Sequence, residues 1–126
     1  MKTHRKIPLS GFTLVEIMIV VAIIGLLAAI AIPNFIKARA SSQANACIEN
    51  MTRIDAASDQ WALEQHKYTG QTINYPSDLT PYIKLNSASS IPACPAGGSY
   101  TVGTVGASPQ VTCSLGTTVT PSHKMP

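Results

Sequence analysis

The chain has 126 residues, enough for one small domain with a modest core. Its net charge of +3 comes from the leader, where Lys2, Arg5 and Lys6 stand together, and the remaining charged side chains balance. The sequence pI of 8.9 is therefore a property of the leader and gives no argument for nucleic-acid binding.

Residues 1–11 form a basic leader ending in Gly11. Residues 12–32 are an apolar run in which Glu16 is the one charged side chain. About 20 apolar residues in a helix cross the ~30 Å hydrocarbon layer. The leader cations predict a cytoplasmic N-terminus, with the rest of the chain crossing. Residues 12–33 are read as the transmembrane helix. Glu16 inside it costs on the order of 2.5–3.5 kcal/mol if unpaired. A cut after Gly11 would leave an ammonium on Phe12, one turn from Glu16. That ammonium, from the same chain or a neighbouring one, could neutralise the carboxylate; from a neighbour it would also set the axial stagger of packed helices. The plainer reading is an anchor that tolerates a carboxylate near the end of its span.

Pro33 predicts a kink and not an end, since helical signals resume at once. Residues 34–66 read as an amphipathic continuation. Ala40, Cys47, Met51, Ile54, Ala57 or Ser58, and Trp61 recur at spacings of three and four. Glu49 and Arg53 form an i,i+4 pair in the favourable order. One helix is expected over 13–66, roughly 80 Å long at about 1.5 Å per residue. Trp61 and Tyr68 read as core residues, and Gly70 as the C-terminal cap.

Residues 67–126 are read as a small head. Ser77 is a candidate N-cap for one or two helical turns over 76–84, with Leu79, Tyr82 and Ile83 on the apolar side. Residues 100–102 and 111–113 are β-prone and predict a hairpin with a long loop. A third short strand over 117–120 is an alternative element, and the tail from Pro121 is expected to be poorly ordered.

Three cysteines, Cys47, Cys94 and Cys113, follow the apolar run. In an oxidising compartment one disulfide and one spare thiol are expected, with Cys94 and Cys113 the candidate pair. The loop they would close, about 20 residues, corresponds to roughly 3 kcal/mol. Three buried free thiols are the alternative. The spacing supports no metal site, because there is no C-x-x-C and both His66 and His123 stand isolated in sequence. No catalytic set appears either. There is no nucleophile elbow or phosphate loop, and Glu64 and His66 do not share a helix face. The expectation is a non-enzyme without cofactors.

The string Gly11-Phe12-Thr13-Leu14-Val15-Glu16, between a basic leader and a long apolar helix, resembles the class III signal of type IV pilins and type II secretion pseudopilins. The resemblance is close over residues 8–39. It implies an α+β fold of the type IV pilin kind, with a long N-terminal helix and a small C-terminal β-hairpin head. It implies cleavage between Gly11 and Phe12 by a prepilin peptidase/methyltransferase, and N-methylation of Phe12. It also implies assembly into a pilus or pseudopilus with copies of the chain and other pilins or pseudopilins, through an inner-membrane assembly platform. Glu16 would then pair with a neighbouring N-terminus and set register. The implied localisation is the bacterial inner membrane with a periplasmic head, and then a periplasmic or extracellular filament.

The chain departs from the pattern at Cys94-Pro95-Ala96-Gly97-Gly98, where many major pseudopilins carry an Asp-Pro-Trp-Gly turn. Asp78 is the one acidic residue after Glu64, too few carboxylates for a calcium ion. Rival readings are a minor pilin displaying a binding head for DNA or surfaces, a plain membrane-anchored periplasmic protein, and a secretory signal cut after Ala29-Ile30-Ala31. The head beyond Gly70 has only Lys84 and Lys124 as Lys or Arg, which argues against DNA. The apolar run exceeds the usual signal length of about 7–15 residues and contains Glu16, which argues against the secretory signal.

Overall fold

The structure is a computed structural model that describes residues 11–125. The leader cations Lys2, Arg5 and Lys6, and Pro126, lie outside the described residues. The described residues divide into two units, the first ending at Ile36 and the second starting at Lys37. Its elements are helix α1 (Leu14–Glu64), a 3-10 turn (Thr80–Tyr82), and strands β1 (Tyr100–Val102) and β2 (Val111–Cys113). This is the expected α+β composition: one long N-terminal helix, then a small antiparallel hairpin.

In the first unit, α1 carries apolar side chains on every face. Ile17, Val20, Ile24, Leu27 and Ile30 are all exposed. A helix that is apolar all round has no solvated face, and suits a lipid or helical environment. Pro33 lies inside α1, which continues past it.

In the second unit, α1 becomes one-sided. Ala44, Cys47, Met51, Ile54, Ala57, Ser58, Trp61 and Ala62 are buried, a stripe at the predicted spacing. Ser58 satisfies its buried hydroxyl by donating to the Ile54 carbonyl at 2.8 Å. The Glu49–Arg53 ion pair forms on the exposed side. The expected end of the helix needs correction. His66 takes a left-handed conformation, with φ 51°. Its amide donates to the Leu63 carbonyl at 3.3 Å, and the Lys67 amide to the Ala62 carbonyl at 2.8 Å. These two bonds make a Schellman cap centred on His66 and not on Gly70. Gly70 instead opens the next segment, donating to the Val105 carbonyl at 2.8 Å. Trp61 is in the core, but Tyr68 is 77% exposed, because the cap turns the chain outward before it. Lys67 lies over the Trp61 ring, 5.6 Å from its centroid.

Beyond the helix, Leu79 is fully buried, and Tyr82 and Ile83 pack on the core as predicted. Ser77 does not cap the short turn. Its hydroxyl donates to the Asn74 carbonyl at 3.0 Å, and the 3-10 turn starts after Leu79 with no side-chain cap. β1 and β2 occupy the predicted residues, paired Tyr100 with Cys113 and Val102 with Val111. Residues 117–120 form a turn followed by a bend, and the additional pairing is instead an isolated bridge between Thr72 and Thr104. The tail also differs from expectation. His123 is buried and its amide donates to the Gly116 carbonyl at 3.1 Å, while Met125 packs against the core.

Candidate functional site

Two places in the chain concentrate chemistry, one in each unit. The first is the start of α1. Gly11 and Phe12 precede the helix, and Phe12 is 86% exposed. Thr13 stands at the N-cap and Glu16 at the third helical position. The Glu16 carboxylate accepts from the Thr13 amide at 2.9 Å and from the Thr13 hydroxyl at 2.8 Å. The Glu16 amide donates back to the Thr13 hydroxyl at 3.2 Å. This is a capping box: two amides that no helical carbonyl can reach are satisfied reciprocally. Sequence reasoning sought a partner for Glu16 in an N-terminal ammonium and in the positive end of the helix, and not in the Thr13 side chain. The Thr-x-x-Glu spacing was the signal for this nearer one.

The second place is a set of four buried side chains. Cys47 comes from α1, Cys94 from the turn before β1, Cys113 from the end of β2, and His123 from the tail. Their ligand atoms all lie within 4.8 Å of one another. Cys94 Sγ is 3.4 Å from His123 Nδ1. No disulfide joins Cys94 to Cys113, the candidate pair; all three cysteines are free and buried. The sequence separated these residues too widely to show the grouping. It arises because α1 presents Cys47 to the hairpin and the tail folds back.

The turn carrying Cys94 is held from both sides. Gln43 donates to the Pro95 carbonyl at 3.3 Å, and Asn50 to the Ala93 carbonyl at 3.3 Å. Gly97 has φ 85°, a conformation costly for other residues. A Cβ at Gly98 would lie 2.7 Å from Cys113 Sγ, so only glycine admits that sulfur. Burial pushes the Cys94 thiol up, but hydrogen bonds from the Ala96 and Gly98 amides and from the Cys47 and Cys113 thiols outweigh it and hold it below the ordinary value. Burial pushes the Cys47 thiol up to about 12, despite the opposing influence of the Tyr100 hydroxyl beside it. The Tyr100 hydroxyl is buried beside Cys47 and has no well-formed hydrogen-bond partner among the described residues.

A long N-terminal helix, apolar and exposed in its first half, followed by a small hairpin-bearing unit, defines a pilin-type subunit. The comparisons agree. Residues 10–32 match the family described as the prokaryotic N-terminal methylation motif. The chain is 30% identical over 99 residues to the type II secretion system core protein G of Escherichia coli, covering 71% of this chain and 68% of the relative. It is 51% identical over 59 residues to the type IV major pilin protein PilA of Myxococcus xanthus, covering 47% of this chain and 27% of the relative. A fimbrial protein of Pseudomonas aeruginosa is 46% identical over 55 residues, covering 44% of this chain and 36% of the relative. The chain thus spans only about a quarter to two thirds of the length of these relatives. No solved structure matches it. The chain belongs to the type IV pilin and type II secretion pseudopilin family.

Proposed function

We propose that the chain is a structural, non-enzymatic subunit of a type II secretion pseudopilus, with a type IV pilus as the alternative use of the same architecture. One observation carries the preference. The match to the Escherichia coli core protein G extends over 71% of the chain, past the N-terminal helix, whereas the matches to the pilin and fimbrial protein cover 47% and 44%.

On this reading residues 1–11 are the leader removed by a prepilin peptidase, which also methylates Phe12. Residues 12–33 anchor the chain in the inner membrane with the N-terminus cytoplasmic. Residues 34–66 continue the helix, with a kink at Pro33, and 67–126 form the periplasmic head. Copies of the chain and other pseudopilins then pack through their apolar helices on an inner-membrane platform. Glu16 specifies register, because a misplaced subunit leaves a charge unpaired in a low-dielectric core. The exposed apolar surface of α1 and the methylation motif support this.

Intact mass and N-terminal sequence of the chain from its own membranes test the reading. A start at methylated Phe12 is expected, and Gly11→Ala should hold the chain at precursor mass. A start at Ile32 would mean ordinary secretion, and one at Met1 a plain anchor; either removes the assembly model. Loss of protein secretion without loss of surface filaments, in cells lacking the chain, is expected for a pseudopilin. The converse assigns it to a pilus.

A further inference from the structure

The thiol and imidazole cluster has no part in the assembly reading, and its chemistry is independent of whether the chain assembles. We propose that Cys47, Cys94, Cys113 and His123 form a structural zinc site that ties the hairpin, the Cys94 turn and the tail to the second half of α1.

The donor set and its size fit. Three thiolates and one imidazole are a recognised tetrahedral zinc set, with Zn–S about 2.3 Å and Zn–N about 2.0–2.1 Å. Those bond lengths put sulfur and nitrogen ligands about 3.5 Å apart at a tetrahedral centre. Cys94 Sγ and His123 Nδ1 are 3.4 Å apart, and all four ligand atoms fall within 4.8 Å of one another. Small side-chain rotations would close the widest separations. Soft thiolate donors in this number select zinc over magnesium or calcium.

The surroundings are built for bound sulfur. Metal-bound sulfur carries negative charge, and outer-shell donors stabilise and orient it. The Ala96 and Gly98 amides belong to the same turn as Cys94 and favour negative charge on its sulfur. The Tyr100 hydroxyl, buried and otherwise unsatisfied, stands beside Cys47 and would donate to its thiolate. Gly98 leaves the space that Cys113 Sγ occupies. The Gln43 and Asn50 side chains grip the carbonyls on either side of Cys94.

A disulfide accounts for less. It would use two sulfurs and leave the third thiol buried among groups arranged to stabilise charge. It would also give no reason for the tail to return and bury His123, which is 3% exposed. Zinc employs all four residues. On binding, the three thiols lose their protons to solvent, the neutral imidazole binds through Nδ1, and the complex carries one negative charge. A small head gains from such a staple because its own core is limited.

The test uses the full chain in detergent micelles, purified from its own membranes without chelator or reductant. Elemental analysis should find one zinc per chain. The apo-protein, refilled with Co²⁺, should show the intense visible bands of a tetrahedral site and a sulfur-to-cobalt charge-transfer band. His123→Ala, close to the C-terminus, should change that spectrum, and Cys113→Ser should weaken the charge-transfer band. Tyr100→Phe should lower zinc affinity about 10–100-fold, the usual cost of losing an outer-shell donor. A metal-free chain with a disulfide between any two cysteines would overturn the proposal. So would three free thiols that take up no Zn²⁺, an octahedral cobalt spectrum, or a His123→Ala spectrum identical to wild type. The cobalt spectrum of the unsubstituted chain decides the matter even if a variant fails to fold.

Discussion

Glu16 and Thr13 satisfy one another across the first turn of α1, with the carboxylate 2.9 Å from the Thr13 amide and 2.8 Å from its hydroxyl. Both residues lie beyond Gly11, so the cap survives a cut there. In a single chain Glu16 therefore has a partner, and the proposed pairing with a neighbour's N-terminus must compete with it. Thr13→Ala removes the hydroxyl and should cost about 1 kcal/mol of helix stability. It leaves the carboxylate available, so membrane insertion and filament yield should stay near wild type. Glu16→Ala should also insert, but yield fewer filaments by immunoblot of the sedimented fraction. Equal loss from both variants would assign Glu16 to the cap and not to register.

Leu79 is fully buried in the core of residues 37–126 although it lies in an irregular segment. Leu79→Ala should destabilise that unit by about 2–5 kcal/mol. Tyr68→Ala, at an exposed position, should stay within about 0.5 kcal/mol of wild type. Urea unfolding of the full chain in micelles, followed by Trp61 fluorescence, measures both.

Asp55 faces two effects of the same sign. Burial raises its carboxyl pKa, and the charge of Asp59, one turn on, raises it further. A carboxyl raised in the folded state binds its proton more tightly there than in the unfolded chain. The wild type thus bears no cost below the ordinary carboxylate range, near pH 4. It loses stability as pH rises through the raised value, and the full cost persists above it. Asp55→Asn should raise the unfolding midpoint at pH 7 and leave it nearly unchanged at pH 3. A gain of equal size at both pH values would contradict this account.

His66 closes α1 in a left-handed conformation, φ 51°, that glycine adopts without steric cost. His66→Gly should stabilise the chain by about 0.5–1 kcal/mol, since the strain at an exposed side chain is removed. A destabilised variant would show that the imidazole contributes more than its backbone costs. Thermal unfolding of the two chains, compared at one pH above 7.5, reads the difference.

The sequence alone determined the elements whose cause is local. The apolar run after the leader, the stripe from Cys47 to Trp61 and the β-prone pairs at Tyr100 and Val111 arise from side-chain periodicity, which neighbouring residues carry. The methylation motif was legible for the same reason, since its parts lie within a few positions. The Thr13 and Glu16 cap was equally local, in a spacing of three. Tertiary structure decided what depends on distant residues meeting. Where α1 stops was settled at His66, which takes a left-handed conformation four residues before Gly70, whose own positive φ serves the bond to the Val105 carbonyl. Tyr68 was turned to solvent by that same cap. The meeting of Cys47, Cys94, Cys113 and His123 has no sequence signature. Four segments supply one ligand atom each, and only the packing of hairpin and tail on α1 brings those atoms to a single point.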